Sequence, residues 1–149
     1  MSIGKYCKRN VVVVAPTESI LAAARLMSQH HVGDLVLAEQ VGENRYRPLG
    51  IVTDRDIVLE IVTNNETALE RTSVGAMKVQ DLVTAGEKED VFDVIGRMRH
   101  FSIRRMPIVD DQGLLVGIIS VDDLLRVLAE NLRDLSQLVG FQSLRENEI

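Results

Sequence analysis

Gly50-Ile51-Val52-Thr53-Asp54-Arg55-Asp56 returns later in the chain as Gly117-Ile118-Ile119-Ser120-Val121-Asp122-Asp123. In each stretch an apolar run that reads as a buried strand is followed by a hydroxyl residue and then a helical segment. Thr53 and Ser120 fall at the N-cap, and Asp56 and Asp123 stand three residues on, where an acid suits the positive end of the helix dipole. A second chemistry fits the same residues. Backbone N–H groups and a hydroxyl at a helix start hold phosphate, and an acid one turn inside accepts the hydroxyls of a ribose. A single copy fits a plain helix cap equally well. Recurrence at matching points of two copies favours the nucleotide reading.

Working outward, a shift of 71 residues lays 3–38 over 74–109 with matching residue classes. Glu18 meets Glu89 and Met27 meets Met98, while Ile20, Val32 and Leu37 meet Val91, Ile103 and Ile108. Beyond a loop the shift becomes 67, laying 49–62 over 116–129, and the difference is assigned to a longer turn at 40–48. Each copy reads as a short strand (11–14 or 82–85), an amphipathic helix (18–31 or 89–101), two strands around a polar turn (34–39 and 49–53, or 106–110 and 114–120), and a closing helix from Asp54 or Val121. Ile20, Ala24, Met27 and His31 share one helix face; Val91, Ile95 and Met98 share its counterpart. The fold class is α+β, two β-α-β-β-α repeats packed about a pseudo-twofold axis. Repeat 1 spans 3–63, a linker 64–73, repeat 2 74–133 and a C-terminal helical tail 134–149, with Leu132, Leu135, Leu138 and Val139 at helical spacing ahead of or inside that tail. A repeat of about sixty residues is marginal alone, so the two are expected to bury sheet against sheet.

Composition narrows the function classes. With 46% hydrophobic and 26% charged residues the chain is neither disordered nor fibrous. A net charge of −5 supplies no positive field for nucleic acid or an anionic membrane. The apolar run at 11–15 stops at Pro16, short of a signal-peptide core or a membrane span, and a cytoplasmic protein is expected. Cys7 is the single cysteine, so no internal disulfide, CxxC pair or zinc-binding cysteine cluster is expected. His30, His31 and His100 lack a carboxylate at ligand spacing, and adjacent histidines on a helix face apart; no metal site is expected. Asp54, Asp56, Asp122 and Asp123 have no nucleophile, triad or Walker-type loop beside them, so the chain reads as a non-enzyme needing no cofactor.

Val14-Ala15-Pro16 before the first helix and Arg104-Arg105-Met106-Pro107-Ile108-Val109-Asp110 add to the two glycine-led segments. Together they make the chain resemble a tandem pair of CBS domains, the regulatory modules named after cystathionine β-synthase, over about residues 3–133. The resemblance implies two clefts between the copies that take adenine nucleotides, and association of two such pairs into a disc. It implies that Asp56 and Asp123 hold ribose hydroxyls and that Thr53 and Ser120 contact phosphate. It also implies that residues near Val12, Val13 and Val14, near Val83, Thr84 and Ala85, and around Val36 and Pro107 enclose adenine. Arg104 and Arg105 are candidates to reach phosphate from the second cleft, or else solvated charges beside a strand, and Arg55 has the same two readings. The copies differ at Glu87 against Pro16, at Gly33-Asp34 against Arg104-Arg105, and at Asp122 against Arg55. Unequal clefts are therefore expected, with the Asp123 cleft taking the more anionic ligand.

The function expected is a stand-alone regulatory module that senses AMP, ADP, ATP, NAD(H) or S-adenosylmethionine and signals through a homodimer to an effector protein. The alternative is an interaction protein that keeps the fold without a physiological ligand.

Overall fold

The computed structural model describes residues 1–64, 68–77, 79 and 81–147. The expected linker residues 65–67 and the last two residues of the expected tail lie outside the described residues. Helix α1 (Ile20–His30) is capped by Ser19, whose hydroxyl accepts the Ala22 N–H at 3.0 Å, and α3 (Val91–Phe101) by Asp90, which accepts from Phe92 at 3.1 Å. Both begin later than the sequence reading had them. Glu18 and Glu89 instead close the preceding turns, accepting the N–H of Ala15 at 2.9 Å and of Gly86 at 2.6 Å. That shared task accounts for the recurrence of glutamate. The Arg97 guanidinium also clasps Glu89 and, with the Gly86 N–H, holds its carboxyl below the usual glutamate value. The helices end at matching left-handed residues, His31 and Ser102, both with φ 54°.

The first sheet holds β1 (Val13–Val14), β2 (Asp34–Gly42) and β3 (Arg45–Thr53); the second holds β4 (Ala85–Gly86), β5 (Arg105–Val109) and β6 (Leu115–Ser120). In each, the first strand runs parallel to the second and the second antiparallel to the third. With α2 (Asp54–Thr63) and α4 (Val121–Asn147), both halves follow the order β-α-β-β-α. Two expectations are corrected. The opening strands pair over two residues each rather than four, and Val12 contributes only its carbonyl, accepting from Val36 at 3.0 Å. The stretch 40–48 is a zipped hairpin rather than a loop, pairing out to Gly42 and Arg45 around Glu43-Asn44, with Asn44 left-handed at φ 53°. Asparagine tolerates that conformation. Pro48 pairs with Ala38 beside a register shift, a position where a missing N–H is tolerated.

Buried apolar side chains form two clusters, one per sheet, rather than a shared sheet-on-sheet core, although β3 runs against β6. Each cluster is completed by the other half. Ile3, from the turn Ile3–Lys5, is buried among Val91, Met98 and Ile119, while Val74, from the turn Val74–Ala76, is buried among Ile20, Met27 and Val52. The backbone bonds recur in pairs related by 71 residues: Ile3 N–H to Glu89 O and Val74 N–H to Glu18 O, both 2.8 Å; Gly4 N–H to Glu87 O and Gly75 N–H to Pro16 O, both 2.9 Å. The approach admits only glycine. A β-carbon on Gly4 would lie 2.8 Å from Glu87 O, and one on Gly75 2.9 Å from Pro16 O.

The expected helical tail is continuous with the closing helix, and α4 runs unbroken through Gly140. Its described side chains at 128–142 are exposed, among them Leu128, Leu132, Leu135 and Val139. The tail therefore does not pack within the chain. Among the described residues no helix is long and apolar enough to cross a membrane.

Gly75→Ala is expected to lower stability by about 1–3 kcal/mol through overpacking. Gly96→Ala, on α3 with open space around it, is expected to raise it by about 1 kcal/mol through helix propensity. Thermal melts of the two variants check the exchange, and a neutral Gly75→Ala would contradict it.

Candidate functional site

The two glycine-led motifs form matching capping boxes where a third strand meets a helix. Asp56 Oδ2 accepts the Thr53 N–H at 2.9 Å while Thr53 Oγ1 accepts the Asp56 N–H at 3.1 Å. Asp123 Oδ2 and the Ser120 hydroxyl do the same, each at 3.1 Å. Capping thus occupies one oxygen of each carboxylate and fixes its direction. The other oxygen distinguishes the sites. Asp123 Oδ1 faces Lys8 Nζ at 3.5 Å and Arg126 Nη1 at 3.9 Å, whereas Asp56 Oδ1 has no partner among the described residues.

Each box opens onto a cleft walled by both halves. Around Thr53 and Asp56 lies a cleft of about 590 Å3, completed by Ile51, Leu59, Leu82, Val83, Ile103 and Pro107 and by the charged residues Arg55, Asp81, Arg104 and Arg105. Around Ser120 and Asp123 lies one of about 360 Å3, to which the first half brings Lys8, Val11, Val12, Asp34 and Val36. The contributions correspond: Val11, Val12, Asp34 and Val36 stand 71 residues before Leu82, Val83, Arg105 and Pro107. Three guanidiniums face two carboxylates in the larger cleft. In the smaller one Lys8, Arg105 and Arg126 are offset by Asp34, Asp122 and Asp123.

Asp34 and Arg105 are the same position in the two repeats, and they touch. Arg105 Nε lies 2.9 Å from Asp34 Oδ1 in an ion pair, so the pair sits on the pseudo-twofold axis and Arg105 lines both clefts. Burial pushes the Asp34 carboxyl above its ordinary value, with nearby Asp54 adding to the shift and Arg105 and Lys8 opposing it. Arg55 and Arg104 carry no ion pair among the described residues.

Thr53, Asp56, Arg55, Arg104, Arg105 and Pro107 therefore share one cleft, with Ser120 and Asp123 in the other. The expectation that Arg104 and Arg105 serve the Asp123 cleft is corrected for Arg104, which lines only the Asp56 cleft, while Arg105 lines both. Each cleft takes its box from one repeat and its second strand from the other, which places the strand arginines opposite Asp56. Val13, Val14, Thr84 and Ala85 line neither cleft. Val14 and Ala85 are buried in the two cores, and the Thr84 carbonyl accepts from Arg97 at 2.9 Å. The residues immediately before them, Val11–Val12 and Leu82–Val83, form the walls instead. Sequence reasoning missed Lys8, Asp81 and Arg126, and treated Asp34 only as a contrast to Arg105. The 71-residue correspondence, applied across the halves, carries the signal for Asp34.

Comparison with known proteins agrees with this architecture. The CBS domain family model matches residues 3–63 and 74–130. The CBS domain-containing protein YhcV of Bacillus subtilis is 37% identical over 114 residues, 76% of each chain. An uncharacterized protein of Methanopyrus kandleri, MK0525, is 34% identical over 127 residues, 85% of this chain and 62% of its own length. This chain thus spans less than two thirds of that relative. Among solved structures, the CBS domain protein PAE2072 from Pyrobaculum aerophilum, complexed with AMP, superposes with a TM-score of 0.71 at 25% identity, covering 83% of this chain and 90% of that one. A family model matched by both repeats and relatives that match across most of the chain lead to one conclusion: the chain belongs to the CBS domain family.

Proposed function

We propose that this protein is a regulatory module that senses an adenosine-containing nucleotide, held first in the cleft of Thr53 and Asp56, and reports occupancy to an effector protein through a homodimer. The observation that carries the reading is the unpartnered Asp56 Oδ1 in a cleft with apolar walls and three guanidiniums. Ile51, Val83, Ile103 and Pro107 suit the faces of a purine, Asp56 Oδ1 accepts ribose hydroxyls, and the Thr53 hydroxyl with Arg55, Arg104 and Arg105 suits phosphate. AMP in the Pyrobaculum structure supports the ligand class. AMP, ADP, ATP, NAD(H) and S-adenosylmethionine share the adenosine that these groups would recognise. Output through α4 follows from its exposed ridge, because Leu125, Leu128, Leu132, Leu135 and Val139 recur at alternating spacings of three and four, the seam of a two-stranded coiled coil. A second copy offers the same seam in register.

Isothermal titration with the five adenosyl ligands and their guanosine counterparts tests the site. At least one adenosyl ligand is expected to bind and to raise the melting temperature, since a hundredfold excess over Kd adds about 2.7 kcal/mol, and guanosine compounds are expected to do less. Asp56→Asn should weaken the tighter site about tenfold, a lost charge-assisted hydrogen bond being worth roughly 1.5–3 kcal/mol, and Asp123→Asn should leave that site in place. Loss with Asp123→Asn alone would move the principal site to the smaller cleft. Silence from all five at millimolar concentration would leave the interaction-protein reading standing.

Light scattering after size exclusion tests the output. A dimer is expected at micromolar concentration, and Leu132→Glu with Leu135→Glu should weaken it. A monomer of 16.6 kDa would contradict the proposal.

A further inference from the structure

The axis pair ties the two clefts together. Arg105 is half-exposed, lines both clefts and spends its Nε on Asp34, whose carboxylate is largely buried and belongs to the smaller cleft. A phosphate entering the larger cleft and Asp34 compete for the same guanidinium. Resting on the nucleotide reading above, we propose that Arg105 is a shared specificity residue: a phosphate-bearing ligand beside Asp56 draws Arg105 from Asp34, and the freed carboxylate turns the smaller cleft against a second anionic ligand.

The charge distribution sets the direction. With Arg105 on Asp34, the lining charges of the smaller cleft balance. With Arg105 withdrawn, Asp34, Asp122 and Asp123 face Lys8 and Arg126, both largely exposed and both paired with Asp123, with Lys8 acting on Asp34 only at longer range. His31 also lines this cleft, and Asp54, which adds to the shift at Asp34, adds negative charge nearby. The smaller cleft then suits an adenosyl ligand whose group next to the ribose is uncharged or cationic. The larger cleft keeps Arg55 and Arg104 for phosphate. Coupling of this kind is reciprocal, so a cationic ligand in the smaller cleft favours phosphate in the larger and an anionic one disfavours it.

The test compares ADP with adenosine, which differ only in phosphate, by titration calorimetry on the full chain. In the wild type, ADP in the first site should weaken ADP at the second about fivefold or more, within the usual range of coupling between sites, while adenosine should show no such effect. Asp34→Asn removes the competitor without touching the larger cleft. It should tighten ADP at the first site about fivefold, leave adenosine unchanged and abolish the coupling. Combining Asp34→Arg with Arg105→Asp restores an ion pair on the axis, protects the fold if Asp34→Asn does not, and should cost the first site much of its preference for ADP over adenosine. Independent ADP sites in the wild type, or equal shifts for ADP and adenosine in Asp34→Asn, would overturn the inference while leaving the nucleotide reading intact. No binding of either compound to the wild type would overturn both.

Discussion

The reciprocal exchange of leading turns is the constraint on which the rest of this molecule depends. Ile3 and Val74 are fully buried, each in the core of the half to which it does not belong in sequence, and the N–H groups beside them find their acceptors there. A half separated from its partner would lose a core side chain and leave backbone donors to water, at a size where stability is already slim. The exchange also builds the clefts. Having docked on the second half, the chain must return to its own sheet, and residues 8–12 cross beside β6, where Lys8 exchanges backbone bonds of 2.9 Å with Ile118. That crossing brings Val11 and Val12 to the Ser120 box. By the same correspondence Leu82 and Val83 reach the Thr53 box, so each cleft belongs to both halves by construction.

What was legible in the sequence is what local chemistry determines. The capping boxes at Thr53 and Ser120 follow from side chains three residues apart and are present as read, and the helix faces follow from apolar spacing in part: Ile20, Met27, Val91 and Met98 are buried, while His31 lies past the end of α1 and is exposed. Glu18 and Glu89 were visible as a recurrence, but their task was not, because a turn closed by a side chain leaves no periodicity. Long-range assignments fared differently. Placing Arg104 with Asp123 treated each repeat as a container for its own cleft, and nothing in one repeat's pattern says that its second strand serves the other's box. The hairpin at 40–48 was hidden for a similar reason: Gly42 and Pro48 interrupt the apolar pattern, whereas the ladder absorbs the proline at a shift in register.

A pseudo-twofold axis makes a particular demand on charge. Residues near it meet their own counterparts, so a duplicated chain with the same charged residue in both copies sets like charges against each other. Divergence to Asp34 and Arg105 converts that repulsion into an ion pair of 2.9 Å in a half-buried place. Such a pair adds little stability by itself, because desolvation offsets much of the attraction. Its consequence is geometric. A guanidinium on the axis is equidistant in role between two clefts related by that axis, and it cannot serve one without changing the field in the other.

The smaller cleft is joined to α4, the longest element among the described residues. Ser120 and Asp123 cap α4, whose 27 residues extend about 40 Å at 1.5 Å per residue. Its first two turns line the cleft through Asp122, Asp123 and Arg126, and exposed Leu128, Leu132 and Leu135 lie beyond them. A helix carries a change at its cap as a rigid rotation or shift rather than dissipating it. The larger cleft has no such projection, since α2 stops at Thr63. Under the proposed coupling, an event beside Asp56 would reach α4 by way of the axis pair, since Arg105 lines both clefts and α4 is capped in the smaller one.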